Sequence, residues 1–72
     1  MDYYILANPH AGHGHGQLVT DKLTAYLTQQ KITYHLFNTH QPLDEHRLMT
    51  DILAQKTNND RIIIIGGDGT IS

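Results

Sequence analysis

Four consecutive isoleucines, Ile62 to Ile65, stop abruptly at Gly66-Gly67-Asp68-Gly69-Thr70. A β-branched run with no polar alternation belongs in a strand buried on both faces. Strands of that kind occur in parallel sheets with helices packed above and below, which constrains the chain to an α/β fold.

The rest of the chain supplies the matching elements. Tyr3 to Ala7 (YYILA) is an aromatic and β-branched strand that stops at Asn8-Pro9. Proline lacks the N–H a ladder needs and drives the residue before it toward an extended conformation. Pro9 to Gly16 (PHAGHGHG) reads as a loop, with glycines at alternate positions. From Gly16 to Gln30 the period changes. Val19, Leu23, Tyr26 and Leu27 recur at helical spacing, with Thr20, Asp21, Thr24 and Gln29 off the stripe.

Ile32 to Phe37 (ITYHLF) predicts a second strand, with Ile32, Tyr34 and Leu36 toward one face and Thr33, His35 and Phe37 toward the other. A second helix follows over Leu43 to Lys56. Its apolar face is Leu48, Met49, Ile52 and Leu53, Pro42 suits its first turn, and Asp44 and Glu45 lie near its positive dipole end. Asp44, Glu45 and Asp51 read as a solvated helix face, and Tyr26 and Tyr34 as the edge of the core. The order β-α-β-α-β joins parallel strands by right-handed crossovers, the start of a doubly wound sheet. The Ile62–Ile65 strand asks for a further neighbour, so the 72 residues are expected to be one part, 1–72, of a longer domain.

Composition removes several classes of function. There is no cysteine, which excludes disulfides and thiolate metal sites. The net charge of −2 argues against a nucleic-acid partner. The isoleucine run is far short of the roughly 20 apolar residues a membrane span requires. Met1-Asp2-Tyr3-Tyr4 has no basic start for a signal peptide, so a cytoplasmic location is expected.

Two glycine-rich loops follow the first and third strands, at the carboxyl edge where open α/β sheets bind ligands. Glycines permit close approach to the backbone, and a following helix start favours phosphate. The loops match neither common phosphate motif. Gly16 is followed by Gln17-Leu18 rather than Lys-Ser/Thr, and both glycine patterns lack the third glycine of G-x-G-x-x-G. Asp68, set between glycines, would repel a polyphosphate unless a cation intervened, which makes it a candidate Mg²⁺ contact. Thr70 would cap the next helix or bond a phosphate oxygen. If both loops touch one ligand, their strands are neighbours and the order is 2-1-3. His13 and His15 lack a nearby carboxylate or thiolate and read as solvated loop residues, and His35, His40 and His46 as ordinary strand, loop and helix-surface residues.

Asn8-Pro9-His10-Ala11-Gly12, with Gly14 and Gly16, resembles the NPxAG-x-G-x-G opening of the diacylglycerol kinase catalytic domain family. Gly66-Gly67-Asp68-Gly69-Thr70 resembles that family's GGDGT signature, a motif shared with NAD kinases. The resemblance covers essentially the whole chain and the N-terminal part of the family's domain. It implies a Rossmann-like nucleotide-binding domain of the NAD kinase–diacylglycerol kinase type. It also implies ATP- and Mg²⁺-dependent phosphorylation of a lipid hydroxyl. By position, Asn8, Pro9, His10, Ala11, Gly12, Thr39, Gly66, Gly67, Asp68, Gly69 and Thr70 would contact the nucleotide. The general base and the lipid site would lie beyond residue 72, so these residues alone would be inactive. The whole enzyme would work at the inner membrane surface.

Ser72 stands where the family often has Asn, and His10, His13 and His15 stand where its first loop often carries Lys or Arg. Imidazoles in place of fixed cations predict phosphate affinity that rises at acidic pH. An NAD kinase-like phosphotransferase and a non-catalytic flavodoxin-like nucleotide-binding module are the alternative readings. The exposed edges of the sheet predict self-association.

Overall fold

The computed structural model describes residues 1–41 and 43–66; Pro42 and residues 67–72 lie outside the described residues. Five elements follow one another: β1 (Tyr3–Ala7), α1 (Ala11–Gln29), β2 (Tyr34–Asn38), α2 (Asp44–Gln55) and β3 (Arg61–Ile65). The strands form one parallel sheet in the order β2-β1-β3, as the two-loop argument required. Ala7 stands in register with Asn38 on one side and Ile65 on the other, so all three strands end together.

The two helices cover opposite faces. Ile5 and Ala7 of β1 face α1, where they pack with Leu27 and with the half-buried Leu23, Tyr34, Ile63 and Ile65. Tyr4 and Leu6 face α2, where they meet Leu48 and Ile52 beside Phe37, Met49 and Ile62. Period-two alternation along β1 therefore divides the core into two layers. Ile5 and Ile52, both 0% exposed, are the centres of these layers. β3 contributes to both layers, as an unalternated strand should, yet Ile64 is 41% exposed because β3 is an edge among the described residues.

Several sequence expectations are corrected. The α1 stripe is narrower than its spacing suggests. Leu27 is buried, but Val19 and Tyr26 are exposed, and Thr20, placed off the stripe, is buried. Thr20 is satisfied there because its hydroxyl donates to the Gly16 carbonyl at 2.7 Å. On α2 the buried pair is Leu48 and Ile52, whereas Leu53 lies outside the core. Asp44 is not on a solvated face but buried.

The second strand begins at Tyr34, later than Ile32, because α1 ends in a Schellman turn. The Lys31 N–H donates to the Thr28 carbonyl and the Ile32 N–H to the Leu27 carbonyl, at 3.0 and 2.9 Å. Lys31 takes φ of 59°, the left-handed conformation that this turn demands. Ile32 is thereby committed to the helix end and packs beside Leu27.

The opposite end of the sheet is held by a separate polar knot. The Asp60 carboxylate accepts the Asp2 N–H at 2.8 Å and the Thr57 N–H at 2.8 Å. Asp2 in turn pairs with His35 Nε2 at 3.1 Å, and the His35 ring stacks on Tyr4 with centroids 4.5 Å apart. His35 is thus a strand residue of β2 that packs on β1. Burial, aided by the Asp60 and Asp2 carboxylates, pushes the Tyr4 phenol up from its usual value.

Candidate functional site

The first loop leaves β1 as a pair of nested turns. The Asn8 side chain accepts the His10 N–H at 3.0 Å, and the Asn8 carbonyl accepts the Ala11 N–H at 3.2 Å. Asparagine favours this local turn because its side-chain oxygen mimics a backbone carbonyl. The Asn8 N–H donates to Ile65 at 2.7 Å, which ties the loop to the end of β3. On the other side the Thr39 N–H donates to Ala7 at 2.8 Å, which ties the segment after β2 to the end of β1. The three strand ends are thus bonded into one rim.

Beyond Ala11 the backbone turns left-handed at three successive residues, Gly12, His13 and Gly14, with φ of 59°, 58° and 95°. The loop read from the sequence is therefore real, and regular helix begins only after it. Gly16 then brings α1 against the loop. A Cβ at this position would collide with the Asn8 carbonyl oxygen. The glycine at 16 is a packing requirement that brings the helix start close to the strand end.

Among the described residues, clefts open on this rim on each side of β1. The first, of about 360 Å³, is lined by Asn8, His10, Thr39, His40, Gln41 and Glu45. The second, of about 380 Å³, is lined by Ala11, Gly12, His15, Gly16, Val19, Ile65 and Gly66. The second lies between β1 and β3, where the strand order reverses. That reversal is the switch point at which doubly wound sheets bind their ligands.

The expected site residues divide between the clefts. Asn8, His10 and Thr39 line the first, and Ala11, Gly12 and Gly66 the second. Pro9 lines neither, and its carbonyl accepts the Gln17 N–H at 3.2 Å, closing the loop onto α1. Gly67, Asp68, Gly69 and Thr70 lie outside the described residues. Among the described residues no group of three or more histidine and carboxylate side chains is placed to hold a metal ion.

Sequence reasoning missed how the first cleft is held open. The Asp44 carboxylate accepts the N–H groups of His40 and Gln41, at 2.8 and 3.1 Å, and Arg47 approaches it at 3.4 Å. The His40 N–H above all holds this carboxyl below its ordinary 3.8, against the opposing effect of burial; Arg47 and the Gln41 N–H help. The signal in the sequence was an aspartate four residues beyond the connector's first free amide. Asn38 Oδ1, at the end of β2, is buried with no hydrogen-bond partner among the described residues.

Comparison with known proteins agrees with this geometry. The family model for the diacylglycerol kinase catalytic domain matches residues 2–72. A Bacillus subtilis (strain 168) protein named "Putative lipid kinase YtlR" is 33% identical over 70 residues, which is 96% of this chain and 23% of that protein. The chain thus spans about a quarter of the length of the curated relative it matches. No solved structure matches. The parallel 2-1-3 sheet, the glycine-bearing switch point and the match along nearly all of the sequence agree, and the chain belongs to the diacylglycerol kinase catalytic domain family, a lipid kinase family.

Proposed function

We propose that this chain is the nucleotide-binding part of an ATP-dependent lipid kinase. The observation that carries the reading is the glycine-lined cleft at the β1/β3 switch point, in a chain of this family. Gly12, Gly16 and Gly66 keep that cleft free of bulky side chains, so phosphate oxygens reach the backbone. Thr39 and Asn8 line the neighbouring cleft, within reach of the rest of the nucleotide.

In the reaction proposed, a lipid hydroxyl oxygen forms a bond to the γ-phosphorus of ATP. The bond from that phosphorus to the β,γ-bridging oxygen breaks, ADP leaves, and the hydroxyl proton passes to a base beyond residue 72. Catalysis of such a transfer is mostly positioning and charge stabilisation. The residues on the rim orient the phosphate chain for in-line attack. Mg²⁺ would neutralise phosphate charge when bound, and Asp68 is the residue assigned to it by motif. Among the described residues, no helix is long and apolar enough to cross a membrane. The proposed enzyme meets its lipid at the inner membrane surface. Self-association of residues 1–72 by themselves, through the exposed sheet edges, belongs to the same proposal.

The test is phosphate transfer from γ-labelled ATP by the full-length protein. The acceptors are vesicles containing diacylglycerol, phosphatidylglycerol or a sphingoid base, with NAD in solution as the comparison. Labelled lipid that disappears in Gly12→Val and Asp68→Ala supports the reading. Labelled NADP, or no transfer to any lipid, overturns it.

A further inference from the structure

The two clefts on the rim differ in their described lining. Among the described residues, the cleft between β1 and β3 is lined by glycine backbone, His15 and apolar side chains. The cleft between β1 and β2 has no lysine or arginine in its lining and contains one carboxylate, Glu45. Phosphate oxygens are received by glycine backbone, so on the ATP reading the phosphates take the first of these clefts and the uncharged part of the nucleotide falls to the second. Gly12 borders the first and Asn8 the second, on the same short loop, so the two clefts adjoin.

Glu45 and its neighbour Asp44 have different fates. Asp44 is consumed by the His40 and Gln41 amides and by Arg47, and it is buried. Glu45 lies next to it in the first turn of α2, lines the cleft, and has no ion pair among the described residues. An ionised carboxylate is acceptor-only and is satisfied by a ligand that brings donors. In a nucleotide, the donors nearest the phosphates are the ribose hydroxyls. The cleft volume of about 360 Å³ falls within the range of small-molecule sites.

From this placement we infer that Glu45 accepts a hydrogen bond from the ribose of the bound nucleotide and selects ribonucleotides over deoxyribonucleotides. The inference rests on the ATP reading and adds a specificity-determining residue to it. Asp44 acts as a positioning residue, because its bonds to the connector amides hold His40 and Gln41 at the rim of the same cleft.

The experiment is kcat/KM of the full-length protein for ATP, 2′-deoxy-ATP, 3′-deoxy-ATP and ITP. It compares the natural enzyme with Glu45→Gln and Glu45→Asp, all checked for native circular dichroism. A site built to bond a hydroxyl rejects the analogue lacking it, and one charge-assisted bond corresponds to about tenfold or more. ATP is expected to exceed at least one deoxy analogue by about tenfold. That ratio should fall toward one in Glu45→Gln and only partly in Glu45→Asp. An unchanged ratio in Glu45→Gln, with ATP still saturating, overturns the inference and leaves the ATP reading standing. A change in the ATP to ITP ratio alone also overturns it, because Glu45 would then face the base. If no nucleotide saturates the natural enzyme, the ATP reading falls and this inference falls with it.

Discussion

The Asp44 carboxylate accepts the His40 amide proton at 2.8 Å, across four residues and from the first turn of the next helix. That bond turns the chain after β2 back over the end of the sheet. It also makes a buried carboxylate dependent on staying ionised.

Acid should therefore weaken the fold through this residue. The folded-state pKa of Asp44 lies below 3.8, held there first by the His40 N–H, and that of Asp60 lies below 3.8, held first by the Thr57 N–H. A carboxyl depressed on folding contributes stability above its unfolded value and loses it as pH falls through the folded one. Urea midpoints should be level near neutrality and decline below about pH 4. Asp44→Asn should flatten part of that decline and lower the neutral-pH midpoint. A decline of equal steepness in the variant would show that Asp44 does not contribute.

Gly16 should resist replacement even by alanine. Alanine is the better helix former by about 1 kcal/mol, so propensity alone predicts a gain. The Asn8 carbonyl occupies the place of the new Cβ, and strain of this kind typically costs about 1–3 kcal/mol. Gly16→Ala is therefore expected to lower the denaturation midpoint. In the full-length protein it should also raise KM for ATP, since the loop it displaces lines both clefts.

Lys31→Gly should stabilise the chain. Lys31 occupies the left-handed position of the α1 end with φ of 59°. A non-glycine residue there costs roughly 1–2 kcal/mol, offset in part by the greater freedom of glycine in the unfolded chain. A net gain of up to about 1 kcal/mol is expected from thermal melts. Lys31→Val, which is branched at Cβ, should do the reverse.

Phosphate affinity should depend on His15. It lines the cleft assigned to the phosphates, where the described lining has no lysine or arginine. His15→Lys, which puts a fixed cation there, should lower KM for ATP in the full-length protein, and His15→Leu should raise it. A KM unchanged in both variants would remove His15 from the account of phosphate binding.

How much of this was legible in advance follows from range. The unalternated Ile62–Ile65, the aromatic run at Tyr3 and the helical spacing of Leu48 and Ile52 are local patterns, and each became the element it predicted. The 2-1-3 order followed from requiring two glycine loops to meet. The Schellman turn was not legible, because lysine stands where glycine normally marks that geometry. Nor was the exposure of Val19, Tyr26 and Leu53, because a helix of this size buries only the part of its apolar stripe that the sheet can reach.

The sequence by itself determined the alternation of strands and helices, the parallel sheet and the family, because periodicity and motif spacing are properties of neighbouring residues. Only the tertiary structure decided what the carboxylates do and how the rim is divided. Asp44 and Glu45 are adjacent acids at one helix start. Whether each meets a connector amide or an open cleft depends on how α2 sits against the end of the sheet. A contact between residues on separate elements leaves no periodic trace in the chain.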